Sequence, residues 1–370
     1  MIQVALIGYG YAGRTFHAPL IRATPGLELT AITSSRPERV RADLPRILVV
    51  PSPEEAWALP SVELVVIATP NDTHVPIATG ALAAGKHVVL EKPFAPTLEE
   101  ARALASLAKS THRVLAVFQN RRWDGDFLAV TDLVARAVLG ELSHFESHFD
   151  RYRPLVRDRW RERAGAGSGL WRDLGPHLVD QALRLFGLPD RVTASLAAQR
   201  AGAQSDDWAH VILEYSRLRA ILHTSVLVAA PLPRFIVHGR AGSWIKYGVD
   251  VQERQLVAAL TPQDAGSTHD TEHALLVDGL SGTESETPIP RGDYRQFYMQ
   301  VRDALRGAGS NPVPPEQVLP VIAVVETAIR SSAEGRALTL PLTEAEVLAF
   351  KRCSPQLITT VDAEDTEGKS

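Results

Sequence analysis

The sequence predicts an α/β protein in two parts, an N-terminal doubly wound parallel sheet followed by a C-terminal α+β domain built on an open, largely antiparallel sheet. Three observations predict it. The first third alternates short β-branched runs, apolar on both faces, with longer Ala- and Leu-rich stretches whose apolar residues recur every three or four positions. From 191 to 249, strand-like segments follow one another with little helix between them. The 370 residues also exceed the roughly 100 to 200 of a single domain.

In chain order, strands are expected at 2–7, 27–33, 47–50, 62–68, 87–90 and 114–118, with helices over 12–24, 73–84 and 97–110. Strands buried on both faces and joined by helices require a parallel sheet, because each crossover lays a helix on it. This domain is expected to span 1–122. The second domain, 123–350, opens with a helix from 126 to 139 and an alternating strand from 142 to 153. A loop with Gly165, Gly167 and Gly169 follows, then a helix that Pro176 opens and Gly187 stops. Strands are expected at 191–199, 208–215, 219–228, 234–238 and 243–247, long loop around short strands at 250–292, and closing helices at 293–307 and 315–335. Residues 351–370 read as a tail.

Composition excludes several classes. Hydrophobic residues make up 45% and charged residues 22%, and mean hydropathy is −0.05, values of a water-soluble globular chain. A net charge of −4 supplies no basic field for nucleic acid. The single cysteine, Cys353, cannot form an intrachain disulfide, which fits a reducing compartment. The N-terminus meets glycine after seven residues, too soon for a signal peptide, and no stretch approaches the ~18 apolar residues of a membrane span. A cytoplasmic location is expected, with no membrane and no nucleic-acid partner.

Gly8-Tyr9-Gly10-Tyr11-Ala12-Gly13 follows a strand and opens a helix, as the dinucleotide-binding (Rossmann) fingerprint does. The first glycine permits the turn, the second lets the backbone approach a pyrophosphate, and the third allows helix to pack on strand. At the end of the second strand an acidic residue would bind the ribose of NAD. Here Ser34, Ser35 and Arg36 stand instead, two hydroxyls and a cation suited to a 2′-phosphate, so NADP is expected over NAD. The alternative for Arg36 is a solvated residue at a helix start.

Lysine occurs only six times, and Lys92 of Glu91-Lys92-Pro93 falls at a strand's carboxyl edge, where open α/β sheets bind ligands. A cis Lys92–Pro93 bond is compatible with this sequence. Downstream, Arg172-Asp173-Leu174-Gly175-Pro176-His177 brings a carboxylate and an imidazole four positions apart to a helix entrance. With Pro176 as the first helical residue, His177 lies at the positive end of the macrodipole, which favours neutral imidazole. Singly, Asp173 could be a cap and His177 a satisfied helix residue.

Together with Thr69-Pro70-Asn71-Asp72-Thr73-His74, these motifs resemble the Gfo/Idh/MocA oxidoreductase family over nearly the whole chain. Segments 16–19, 118–124 and 145–152 look most like its branch of NADP-dependent scyllo-inositol dehydrogenases. The resemblance implies that Lys92, Asp173 and His177 are catalytic, and that Thr69, Pro70, Asn71, His74, Glu91 and Asn120 line the cofactor. It further implies hydride transfer between a nicotinamide cofactor and a secondary alcohol or ketone of a cyclic polyol or sugar. His177 would be the base, Lys92 the cation beside the developing alkoxide, and Asp173 would orient the imidazole. Trp123, Arg153, Trp160 and Arg172 are candidate substrate contacts; Arg172 departs from the aromatic expected in close relatives. A homodimer or homotetramer through the second sheet is implied. The competing class is a dinucleotide-binding sugar sensor or regulator without catalysis. His144, Glu146, His148 and Asp150 alternate along one strand face as metal ligands would, but hydride transfer needs no metal beside Lys92 and His177, so none is expected.

Overall fold

A computed structural model describes residues 1–158, 162–165, 167–264 and 273–354. The first sheet contains β1 (Ile2–Ile7), β2 (Leu27–Thr33), β3 (Leu48–Val50), β4 (Val62–Ile67), β5 (His87–Leu90) and β6 (Leu115–Val117), in spatial order β3-β2-β1-β4-β5-β6. Every pairing in it is parallel. The crossovers carry α1 (Ala18–Arg22), entered through a π-helical turn at Gly13–His17, then α2 (Pro37–Asp43), α3 (Pro53–Ala58), α4 (His74–Ala83) and α5 (Leu98–Ser110). Val4, Leu6, Leu64, Val66 and Val88 are fully buried because helices cover both faces. The strand order reverses between β1 and β4. A crevice therefore opens at their carboxyl ends: the glycine turn follows β1, Thr69 follows β4, and Lys92 follows the neighbouring β5.

After α6 (Gly125–Ala135) the second sheet is built from β7 (Leu142–His148), β8 (Arg191–Ala197), β9 (Trp208–Glu214), β10 (Arg219–Ser225), β11 (Pro233–Gly239) and β12 (Gly242–Tyr247). It is completed by β13 (Ala274–Asp278) and β14 (Glu284–Thr287), in order β14-β13-β12-β11-β7-β10-β9-β8. All its pairings are antiparallel except β7 with β10. Strand alternation sends Phe145, Ser147, Val211 and Leu222 into the core, while His144, Glu146, His210 and His223 remain half-buried on the other face. The core face is covered by α7 (Leu170–Phe186) and by α10 (Pro315–Glu334), and α8 (Gln252–Val257) and α9 (Arg295–Leu305) bridge toward the first sheet. Among the described residues no helix is long and apolar enough to cross a membrane.

Three expectations need correction. Pro176 does not open its helix: α7 begins at Leu170, and Pro176 lies inside it. Gly169, at φ 105°, breaks the chain just before Leu170, and the Asp206 carboxylate accepts the Trp171 N–H, which has no carbonyl one turn earlier in the helix, at 2.7 Å, so helix forms upstream of the proline. Residues 351–353 are not tail, because α11 (Glu344–Cys353) runs through them from a capping box between Thr343 and Glu346. The stretch expected as loop and short strands also holds α8.

Candidate functional site

The glycine turn fits its proposed ligand by a steric test. A Cβ on Gly8, whose φ is 99°, would lie 2.5 Å from the Ala68 carbonyl oxygen, and one on Gly13 would lie 2.1 Å from that of Gly8. Those two glycines are required by the protein's own packing. A Cβ on Gly10 would meet nothing within 4 Å, so that glycine leaves room for a group approaching from outside. Tyr9 reaches Asp43, and Tyr11 donates to Glu253 on α8 at 2.8 Å. Arg36 is exposed at the N-cap of α2, and its backbone N–H donates to the Ser34 hydroxyl. Among the described residues Arg36 has no carboxylate partner, which leaves its guanidinium available.

The next two loops are braced against each other. His74, fully buried, sits between the carbonyl oxygens of Pro93 (2.9 Å from Nδ1) and Thr69 (3.0 Å from Nε2). Burial pushes its imidazole below the usual range. Glu91 accepts the Lys92 backbone N–H at 2.9 Å and contacts His17 at 3.1 Å. Burial opposes the Glu91 charge, but the His17 hydrogen bond and the nearby cations hold its carboxyl below the usual range. The Lys92–Pro93 bond is cis.

Lys92, Asp173 and His177 are brought together. The Lys92 ammonium donates to the Asp173 carbonyl oxygen at 2.9 Å and to its carboxylate at 3.1 Å, so a strand end of the first sheet is tied to a helix of the second. Asp173 lies in the first turn of α7, and His177 comes one turn later, 6% exposed, with Nδ1 sealed from solvent and, among the described residues, without a hydrogen-bond partner. Its imidazole is held well below the usual range, first by burial and then by Lys92, Arg121, Arg234 and Arg151. The neutrality expected from the helix dipole therefore has a different cause. His177 lies beyond the first turn, and burial among four cations does what the dipole was expected to do.

Arg121 and Arg151 were not anticipated. Arg121 is buried, paired with Asp124 at 3.2 Å and Glu253 at 2.5 Å, over the Phe149 ring. Arg151 faces the same ring, within electrostatic range of Asp173, Glu253 and Tyr11. Arg151 continues the inward alternation of Phe145, Ser147 and Phe149, a pattern visible in the sequence.

The remaining candidates are spread out. Asn120 is buried in the turn after β6, and half-buried Trp123 meets the Phe297 ring edge-on. Arg172 donates to the Pro96 carbonyl and lines a cavity of about 630 Å³ with Asn71, Pro93 and Pro176, behind the Lys92 loop. Lys92, Asp173 and His177 do not line that cavity. Arg153 is half-buried, its carbonyl accepting from Arg200 at 3.2 Å. Trp160 lies outside the described residues.

A parallel sheet with a glycine turn at its switch point, facing a lysine, a carboxylate and a buried imidazole, defines the class of nicotinamide-dependent oxidoreductases. Residues 2–119 match the profile of the NAD-binding Rossmann fold of the Gfo/Idh/MocA oxidoreductases, and residues 131–341 that of their C-terminal α/β domain. The chain belongs to this family. It is 52% identical to the uncharacterized oxidoreductase YdgJ of Escherichia coli over 92% of this chain and 99% of the relative. It is 38% identical to the scyllo-inositol 2-dehydrogenase (NADP(+)) IolW of Bacillus subtilis, over 92% and 96%. A crystal structure of an oxidoreductase from Klebsiella pneumoniae superposes with a TM-score of 0.89 at 49% identity, covering 95% of this chain and 99% of that one.

Proposed function

We propose that the protein is an NADP-dependent dehydrogenase or reductase that interconverts a secondary alcohol and a ketone on a cyclic polyol or sugar such as an inositol. The observation that carries this reading is the contact of the Lys92 ammonium with Asp173, one helical turn from a buried neutral His177. The name of the 38% identical relative supports the polyol class and the phosphorylated cofactor.

The turn from Gly8 to Gly13, the segment from Thr69 to Asn71, and Asn120 would hold the dinucleotide, with His74 and Glu91 bracing the loops around it and Ser34, Ser35 and Arg36 holding the 2′-phosphate. When bound, the nicotinamide accepts the hydride in oxidation and returns it in reduction. His177, neutral in its buried setting, takes the hydroxyl proton. Lys92 stabilises the oxygen as negative charge develops on it, and Asp173 fixes the ammonium at two points. In reduction the same groups run the proton back. Arg151 is proposed as a hydrogen-bond donor to the bound polyol. The half-buried outer face of the second sheet is proposed as the contact of a homodimer or homotetramer.

The test is a panel of cyclic polyols and keto-sugars assayed with both cofactors, for wild type and Lys92→Ala. Turnover is expected on at least one polyol, and a loss of roughly a hundred- to a thousandfold in kcat in the variant with cofactor binding retained. Cofactor binding without turnover on any substrate would overturn the reading in favour of a sensor.

A further inference from the structure

The outer face of the second sheet carries a cluster that the reaction does not use. His144, Glu146 and His148 alternate along β7, and Asp150 continues the alternation just beyond it. On the parallel neighbour β10, His223 is the register partner of His148. One donor atom from each of His148, Asp150 and His223 lies within 4.8 Å of the other two. Asp150 Oδ2 is 3.3 Å from His148 Nδ1, and Oδ1 is 3.7 Å from His223 Nε2.

We propose that His148, Asp150 and His223 form a binding site for a divalent transition ion of the zinc class on this face. Zinc takes imidazole nitrogen and carboxylate oxygen at about 2.0 to 2.2 Å, and donors on a tetrahedron of that size stand about 3.3 to 3.5 Å apart. Asp150 presents a different oxygen to each histidine, Oδ2 at 3.3 Å from His148 and Oδ1 at 3.7 Å from His223, and with one donor atom from each residue lying within 4.8 Å of the others, side-chain rotation would close the three on one ion.

Two further observations distinguish this cluster from an ordinary polar sheet face. Each histidine has its other nitrogen engaged: His148 Nε2 is 2.7 Å from Glu146, and His223 Nδ1 is 3.3 Å from His210 Nδ1. Metal-bound histidines are oriented in this way by outer-shell carboxylates and other acceptors. The Asp150 side chain is only 9% exposed, yet among the described residues its Oδ1 has no hydrogen-bond partner. A buried carboxylate oxygen without a partner is costly, and a cation between it and His223 would satisfy it. The site lies on the sheet face opposite Ser147, which accepts from buried Arg234, and Phe149, whose ring Arg151 faces, so the ion would clamp β7 to β10 rather than take part in hydride transfer.

The experiment uses the full, untagged chain stripped with a chelator, titrated with Zn2+ by calorimetry, with metal content measured after dialysis. One ion per chain is expected. Co2+ should give the intense visible bands of a low-coordinate nitrogen and oxygen site. His223→Ala and Asp150→Asn should weaken binding by at least tenfold, Glu146→Gln by about ten- to a hundredfold as an outer-shell change does, and His112→Ala, at an exposed histidine elsewhere, not at all. Circular dichroism and a cofactor titration check that each variant is folded. If the ligand variants do not fold, the wild-type stoichiometry and the Glu146→Gln affinity decide. Less than one equivalent bound by wild type, or affinity unchanged in the folded ligand variants or in Glu146→Gln, would overturn the site.

Discussion

Two side chains carry the sharpest expectations at the scale of single residues. Arg36 stands exposed after the end of β2, and among the described residues it has no carboxylate partner, which leaves its charge for a 2′-phosphate. A charge-assisted bond contributes roughly 1.5 to 3 kcal/mol, and Arg36→Ala should erode the preference for NADP by about ten- to a hundredfold in kcat/KM. Equal preference in wild type and variant would return Arg36 to the status of a solvated cap. His177 gives a pH prediction whose sign follows from its surroundings. Burial and four cations lower its pKa, so the imidazole stays neutral, and able to accept a proton, from about pH 6.5 upward. Polyol oxidation should show no histidine limb in kcat between about pH 6.5 and 8, while His177→Ala lowers kcat by about a hundred- to ten-thousandfold throughout. A substrate deuterium isotope effect must first establish that chemistry limits the rate; a rise through the ordinary histidine range, absent in the variant, would contradict the buried environment.

Among the elements, α11 is tied to α5 by Arg102, which donates to both Glu346 oxygens at 2.6 and 2.9 Å. The Arg102 hydrogen bond, with help from the Thr343 backbone, lowers the Glu346 carboxyl from 4.5 to about 2. A depressed carboxylate contributes stability that is present above 4.5 and is lost as pH falls toward about 2. The pair is partly solvated, so screening limits its worth, and Glu346→Gln should cost about 1 kcal/mol in urea unfolding at pH 7 and nearly nothing at pH 2. An equal cost at both pH values would show that packing, not charge, holds the helix. The same elements show how far sequence reaches. The six parallel strands were legible because each is apolar on both faces, and only a sheet layered with helices accounts for that pattern. The start of α7 was not, since proline is as legal at a first helical position as it is visible inside, and the choice depended on Asp206, far along the chain. The start of α11 is legible in Thr343-Glu344-Ala345-Glu346, which has the spacing of a capping box. Lys92, Asp173 and His177 could be picked out by motif, but their meeting, and the surrounding arginines, depend on tertiary contacts with no local signature.

Across the whole molecule, the glycine turn is linked to the second domain by a chain of polar contacts: Tyr11 to Glu253, Glu253 to Arg121, Arg121 to Asp124, and Asp124 to Tyr294. Glu253 is the member that touches the turn. Glu253→Ala should weaken NADPH binding several-fold in a fluorescence titration while the melting temperature changes little, because Arg121 keeps Asp124 as its partner; unchanged affinity would make this network purely structural. The arrangement of the second sheet also has a consequence in time. The first sheet is complete once residue 117 has been made, and every strand in it has neighbours already synthesised. The central strand of the second sheet has none: β7 ends at His148, and the two strands that flank it, β10 and β11, begin only at Arg219 and Pro233. Nor can β10 and β11 zip together as a hairpin, since β7 must lie between them. On the ribosome an edge-exposed, half-apolar strand therefore waits for some seventy residues of chain before its first partner arrives, and the slow, aggregation-exposed step of folding is the insertion of β7 rather than the docking of any helix.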